Sequence, residues 1–376
     1  MLHIAVFGSS RWSFLMKDIL EKEYSELLVQ DCGEKVAVDA FVVLGKPQSE
    51  GEISVQEFGR RYAAQELAAI VIPKEYYMQQ NELVLALLRA GVDVQDIYDG
   101  IRLGEETRNR PEAVAGLITP MLSDPYLPYL EFHVADHCNL NCKYCTHYSP
   151  LVEQPVFTEY ERFAADMRQL KKYIADMGVI RILGGEPLLN PELGRYIELT
   201  RALYPAAIVT VVTNGLLIDR VEPSLLENMR KNMAFFHISY YPPLQERVQE
   251  IQKFLYEQKI PYTITPMITE FNRTQTLMPQ GDEDFFYSCF QASCTCLHEG
   301  KIAPCYAPFT TKYFNQAFGQ ELPVGEGIDL YDEALNTTML KAQLLIPMER
   351  CNYCVAGNAC PWEIVGKHSA LEDWVE

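Results

Sequence analysis

Residues 138–145 read CNLNCKYC, placing Cys138, Cys142 and Cys145 within eight positions. The stretch directly follows YLEFHVA at 129–135, a run of strand length and composition. Three thiols on a loop just past a strand point to a metal site. Structural zinc normally takes four protein ligands in close pairs, and no second pair lies near, although His137 or His147 could supply a fourth. An iron–sulfur cluster held by three thiolates would instead leave one iron open to a small molecule.

Working outward, the chain carries 11 Cys in 376 residues, and ten of them cluster. Besides the loop there are Cys289, Cys294, Cys296 and Cys305, then Cys351, Cys354 and Cys360. Cys32 stands alone and reads as a small buried hydrophobe. The start, MLHIAVFGSS, enters a strand-like run with no basic region or small-residue cleavage site, so a cytoplasmic protein is expected. In that compartment clustered cysteines favour metal ligation over disulfides. A net charge of −19 without a basic patch makes nucleic acid and anionic membrane poor partners, and no apolar run is long enough to span a bilayer.

The fold class expected is α/β. In residues 1–105 strand-like runs (LHIAVFG, VDAFVVLG, AAIVIP, VQDIYD) alternate with helical ones, the pattern of a Rossmann-like doubly wound sheet. The turn GSSRWS has only Gly8, so the dinucleotide fingerprint fails. Ser9 and Ser10 either line a nucleotide pocket or cap the following helix. Residues 106–127 contain three Pro and read as a linker. Residues 128–270 resume the alternation, with a helix from TEYERF onward that Thr158 and Glu161 should start as a capping box. Here the cysteine loop, GGEP (184–187), TNG (213–215) and SYY (239–241) all fall at strand C-termini, where barrels place their chemistry. Residues 271–376 lose periodicity and hold seven Cys; CLHEGKIAPC reads as a hairpin turning at Gly300.

These motifs resemble those of the radical S-adenosylmethionine (SAM) superfamily. CNLNCKYC matches its C-x3-C-x2-C loop, with the aromatic Tyr144 before the last cysteine. The resemblance implies a partial (β/α)6 barrel and a [4Fe-4S] cluster on Cys138, Cys142 and Cys145. SAM would lie against Gly184, Gly185, Glu186, Pro187, Thr213, Asn214 and Ser239, with an electron arriving from flavodoxin or ferredoxin. The C-terminal cysteines resemble a SPASM or twitch auxiliary domain: Cys289, ten residues, Gly300, four residues, Cys305, then Cys351, two residues, Cys354, five residues, Cys360. A full SPASM set needs Cys after 360, and Ile364 stands where the next is due. One auxiliary [4Fe-4S] cluster on Cys289, Cys305, Cys351 and Cys354 is therefore expected. Cys294 and Cys296 compete for the first place, and a second auxiliary cluster or a zinc ribbon are the alternatives.

The resemblance leaves the substrate open. The Rossmann-like first domain favours a small molecule, such as a sugar or nucleotide-linked sugar, that is oxidised, epimerised or deoxygenated. A peptide-modifying maturase and a non-enzymatic iron–sulfur electron carrier are the alternatives. His147 and Tyr240, near the barrel mouth, are the substrate-side candidates, with packing roles as the competing reading.

Overall fold

The structure is a computed structural model that describes residues 1–23, 36–73, 76, 79–100, 119–281, 285–365 and 369–376. Cys32 and most of the expected linker lie outside these residues. The chain divides into two units, Met1–Asp124 with Thr337–Ala342, and Pro125–Asn336 with Gln343–Glu376.

The first unit holds β1 (Leu2–Phe7), β2 (Val36–Val43), β3 (Glu52–Ser54), β4 (Ile70–Pro73), β5 (Ile97–Gly100) and β6 (Thr119–Pro120). Their order is β3-β2-β1-β4-β5-β6, parallel except for β6. Helix α1 (Arg11–Asp18) starts at Ser10, whose hydroxyl accepts from the N–H groups of Trp12 and Ser13. Gly8 has φ +74°, and a Cβ there would strike the Tyr76 ring, which packs edge-on against Phe7 at 4.8 Å. Ser9 bonds the Glu52 carboxylate, a poor setting for phosphate. Of the two readings of this turn, the helix cap is the one these contacts support. Helices α2 (Val55–Ala63) and α3 (Gln80–Arg89) complete the alternation.

In the second unit β7 (Tyr126–Ala135), β8 (Asp176–Gly184), β9 (Ile208–Thr213), β10 (Phe235–Ile238) and β11 (Tyr262–Ile264) run parallel as neighbours in chain order. Strand β7 begins three residues before the expected Tyr129 and runs through Pro128. After β12 (Glu270–Asn272), β13 (Cys296–His298) adds the sixth parallel strand, on the free edge of β7. The sixth place is thus filled from the cysteine-rich segment. The hairpin to β14 (Lys301–Ala303) turns on Glu299 and Gly300, both at positive φ, as a two-residue type I′ turn requires. Strand β15 (Ile328–Asp329) pairs with β14, and β16 (Ala359–Pro361) pairs with β12.

The crossover helices of the barrel are α4 (Tyr160–Leu170), α5 (Leu193–Leu203), α6 (Pro223–Lys231) and α7 (Val248–Glu257). Helix α4 buries Phe163, Ala164, Met167 and Leu170, and the Phe163 ring lies 4.4 Å from Phe132 of β7. Its cap differs from the expected one. The Glu159 carboxylate accepts from Glu161 N and Arg162 N, whereas the Thr158 hydroxyl donates to His133 O at 2.6 Å. Helices α8 (Phe285–Ser288), α9 (Ala307–Phe318) and α10 (Thr337–Gln343) follow, α10 falling largely in the first unit. Among the described residues no helix is long and apolar enough to cross a membrane.

Candidate active site

The C-terminal ends of β7, β8 and β9 meet. Gly185 N donates to Ala135 O at 2.7 Å, and Glu186 N donates to His137 O at 3.1 Å, fixing GGEP against the start of the cysteine loop. A Cβ on Gly184 would lie 2.0 Å from Ala135 O, and one on Gly185 2.2 Å from His137 O. The glycines therefore let two backbones touch, a role distinct from the expected close approach of SAM.

Glu186 is fully buried. Its Oε1 accepts from Thr213 Oγ1 at 2.8 Å and Leu188 N at 3.0 Å, and its Oε2 accepts from Asn214 N at 3.0 Å. Burial pushes this carboxyl up to about 7, against the pull of those donors. So GGEP and TNG are joined through one carboxylate. Pro187 opens the short turn that Glu186 caps. The Asn214 amide donates to Asn139 Oδ1 at 2.7 Å and sits 3.7 Å from Cys138 Sγ, which also accepts from Leu140 N at 3.4 Å. Ser239 continues the row, its N–H bonding Thr213 O.

Burial raises the pKa of all three loop thiols, Cys142 to about 12, and they act electrostatically on one another. The Ser149 hydroxyl and Trp362 indole N–H are buried with no conventional hydrogen-bond partner among the described residues. Both donors nonetheless lie close enough to oppose the upward shifts of Cys145 and Cys142 respectively. Orphaned donors aimed at thiols suit a sulfur-rich anionic cluster. Among the described residues no three His, Cys, Asp or Glu side chains group to hold a single ion. A cluster needs no such group, because each thiolate takes a different iron.

Tyr144, at φ +59°, sets its ring between Lys143 Nζ at 5.2 Å and the Arg273 guanidinium at 5.8 Å. Tyr240 is tied by its main chain to Thr265 Oγ1 and Ile268 N. Its neighbour Tyr241 is the phenol near the loop: burial, then Cys142, Cys145 and Cys138, raise its pKa, and its ring stacks on Trp362. Choosing between adjacent tyrosines past a strand end needs the backbone path, which the sequence does not carry.

His147 belongs to a row of buried polar groups. Its Nδ1 lies 2.9 Å from His133 Nε2, His133 Nδ1 lies 2.8 Å from Asp136 Oδ1, and the Tyr313 hydroxyl donates to Asp136 Oδ2. Burial would raise Asp136, but the hydrogen bond and charge of His133 outweigh it and hold the carboxyl well below the usual range. Burial, then His133, lowers His147 well below an ordinary imidazole. A His147 ring kept neutral by burial has one N–H and one bare nitrogen, so it can donate on one side and accept on the other.

In the C-terminal segment Cys289, Cys305, Cys351 and Cys354 line one cavity of about 270 Å³. Each of the other three thiols acts on Cys305. Cys294 and Cys296 are not in that lining; they fall beside Glu131 of β7, while still feeling Cys289 and Cys305 respectively. Cys360 sits opposite Phe271 in the β12–β16 pair, its thiol on Phe271 O at 3.1 Å. The spacing that made Cys360 a ligand candidate is real, but strand pairing carries it away from the cavity.

Residues 133–256 match the family model for the radical SAM superfamily. Those residues, which hold the cysteine loop, GGEP and TNG, thus form a radical SAM domain. Similar curated proteins include a GTP 3',8-cyclase of Chlorobaculum tepidum, 34% identical over 101 residues, covering 26% of this chain and 29% of that one. One from Clostridium acetobutylicum is 31% identical over 101 residues, covering 26% and 31%. The chain thus spans less than a third of the length of these relatives. Among solved structures, BtrN in complex with AdoMet and 2-DOIA covers 61% of this chain and 94% of its own at 17% identity, TM-score 0.39. Streptococcus suis SuiB bound to the precursor peptide SuiA covers 74% and 82% at 12% identity, TM-score 0.32.

Proposed function

We infer that this protein is a radical SAM enzyme acting on a small polyhydroxylated substrate, a sugar or nucleotide-linked sugar. Cys138, Cys142 and Cys145 would hold the SAM-binding [4Fe-4S] cluster, and Cys289, Cys305, Cys351 and Cys354 one auxiliary [4Fe-4S] cluster. The observation that carries the reading is Glu186, which joins the segment packed on the cysteine loop to the segment whose Asn214 reaches Cys138. When bound and reduced by flavodoxin or ferredoxin, the first cluster supplies the electron that splits SAM into methionine and a 5′-deoxyadenosyl radical.

The chain's own work is to bind and orient. Glu186 and Asn214 hold the loop in register with β8 and β9. His147, neutral in its buried place, would hydrogen-bond a substrate hydroxyl. The substrate class is supported by the face of β7 turned away from its helices, which carries Tyr129, Glu131 and His133. Arg181 stands opposite Glu131 in register, 5.5 Å from the Tyr129 ring, and His237 feels its charge. Tyr129, Glu131 and His133 are buried and bonded within the protein, so Arg181 and His237, which are only partly buried, are the polar groups left to meet a ligand rich in hydroxyls. The test is an anaerobic assay with dithionite, SAM and a panel of nucleotide sugars. Formation of 5′-deoxyadenosine, with about eight irons per chain, is expected, and Cys142→Ala should abolish it. A mere electron carrier would make none. Turnover of peptides but of no sugar would overturn the substrate reading.

A further inference from the structure

We propose that Arg350 is the electrostatic partner of the auxiliary cluster and sets its reduction potential; this rests on the reading of Cys289, Cys305, Cys351 and Cys354 as that cluster's ligands.

Arg350 is 2% exposed. A guanidinium is never neutralised in a protein, so a buried one needs an anion. Among the described residues no carboxylate lies within ion-pair distance of it. Glu326, which bonds the Arg350 main chain, spends its two oxygens on the main-chain N–H groups of Glu349 and Arg350, at 2.7 and 2.8 Å. The guanidinium bonds Thr311 Oγ1, 2.9 Å from Nε, Gln275 Oε1 at Nη2, and Cys354 Sγ, 3.2 Å from Nη1. The Tyr148 phenol also bears on it, and burial pushes that phenol up to about 12, so it carries no charge to offer. Of the three bonded groups two are neutral. The third is a thiol on the wall of the four-cysteine cavity. The missing negative charge therefore has one place to be, on the sulfurs of that cavity.

The fork is held rigidly. Thr311 donates its own proton to Ala307 O at 2.8 Å, so its lone pairs face Arg350. Gln275 Oε1 also accepts from the Tyr148 hydroxyl at 2.6 Å, and Tyr148 N donates to Cys145 O at 2.9 Å. The guanidinium cannot swing away from Cys354 without breaking both neutral contacts. Four thiolates on a [4Fe-4S]2+ core total two negative charges, and reduction adds a third. A fixed cation with an N–H···S bond favours the more negative state, raising the potential. A merely structural arginine would leave the potential where it is.

The test uses the full chain with Cys138, Cys142 and Cys145 all changed to Ala, leaving only the auxiliary site, reconstituted with iron and sulfide. Potentiometric titration followed by EPR is compared for this parent and for Arg350→Gln. The inference expects about four irons per chain in both and a lower midpoint in Arg350→Gln. Equal midpoints overturn it. A parent that binds no cluster overturns the ligand reading and this inference together, a distinguishable result. Arg350→Met keeps the test decisive should Arg350→Gln fail to fold. It too removes the cation while keeping much of the side-chain volume, so its midpoint must also fall below the parent, and an unchanged value overturns the inference.

Discussion

The imidazole of His147 stacks on the phenol ring of Tyr306, with centroids 3.8 Å apart and planes 17° from parallel. His147 lies two residues past Cys145, and Tyr306 one residue past Cys305. The stack therefore joins the backbone of the cysteine loop to that of the four-cysteine cavity. Tyr306→Leu should lose it, at a cost of about 1 kcal/mol beyond lost packing, and let His147 turn. The expected reading is a lower product yield per 5′-deoxyadenosine, because cleavage of SAM continues while the substrate side is misplaced. Tyr306→Phe keeps the stack and loses the bond from Gln291 Nε2, 3.0 Å away, so its yield should stay close to the parent's. Equal losses in both variants would show that the hydroxyl, not the stack, matters.

Glu186→Gln preserves shape but not hydrogen-bond sense. Every partner of the carboxylate is a donor: Thr213 Oγ1, Leu188 N and Asn214 N. A glutamine must turn its NH2 toward one side, leaving donors facing donors in a fully buried place, at roughly 1–3 kcal/mol. The loop would then lose its register with TNG. The variant should bind SAM more weakly while retaining iron, as read by equilibrium binding beside iron analysis. SAM affinity equal to the parent's would rule this out.

Gly185→Ala offers a harsher test of the same corner. Its Cβ would meet His137 O at 2.2 Å and Asp136 O at 2.6 Å, both backbone atoms that cannot yield. Soluble Gly185→Ala protein with full iron content and wild-type melting temperature would contradict the packing described for GGEP.

Much of this corner was legible in the sequence because its signals are local. Closely spaced cysteines, a glycine pair and TNG each sit at the end of an apolar run, and a parallel sheet brings such ends to one edge. The groups around them were not legible. Trp362 reaches Cys142, Arg350 reaches Gln275, and Tyr313 reaches Asp136 across large separations that no periodicity records. The cap of α4 was misplaced by one residue because Thr158 and Glu159 both suit the role. Tertiary contact decided it, giving the Thr158 hydroxyl to His133 O. Cys360 was attractive by spacing, but its strand pairs with Phe271, and pairing outranks spacing.

Glu131 gives a prediction in pH. It is 3% exposed, its Oε2 accepts the Tyr129 hydroxyl at 2.5 Å, and its Oε1 has no hydrogen-bond partner among the described residues. Burial pushes it up to about 7 from an ordinary 4.5, with Tyr129, His133 and Arg181 pulling the other way. Through that window the unfolded chain gives up a proton that the folded chain keeps. Its contribution is therefore fully present below the unfolded value, is lost as pH rises toward 7, and is flat above it. The total is about 3 kcal/mol at ~1.4 kcal/mol per unit. Glu131→Gln keeps a donor where the acid proton sits and an acceptor toward Tyr129, yet cannot ionise. The stability difference between Glu131→Gln and the parent, read from melting at a series of pH values, should grow in favour of the glutamine between about 4.5 and 7. Contributions common to both proteins, cluster chemistry included, cancel in that difference. A difference that stays constant across this range would mean Glu131 ionises normally, and that the inner face of β7 is wetter than its burial indicates.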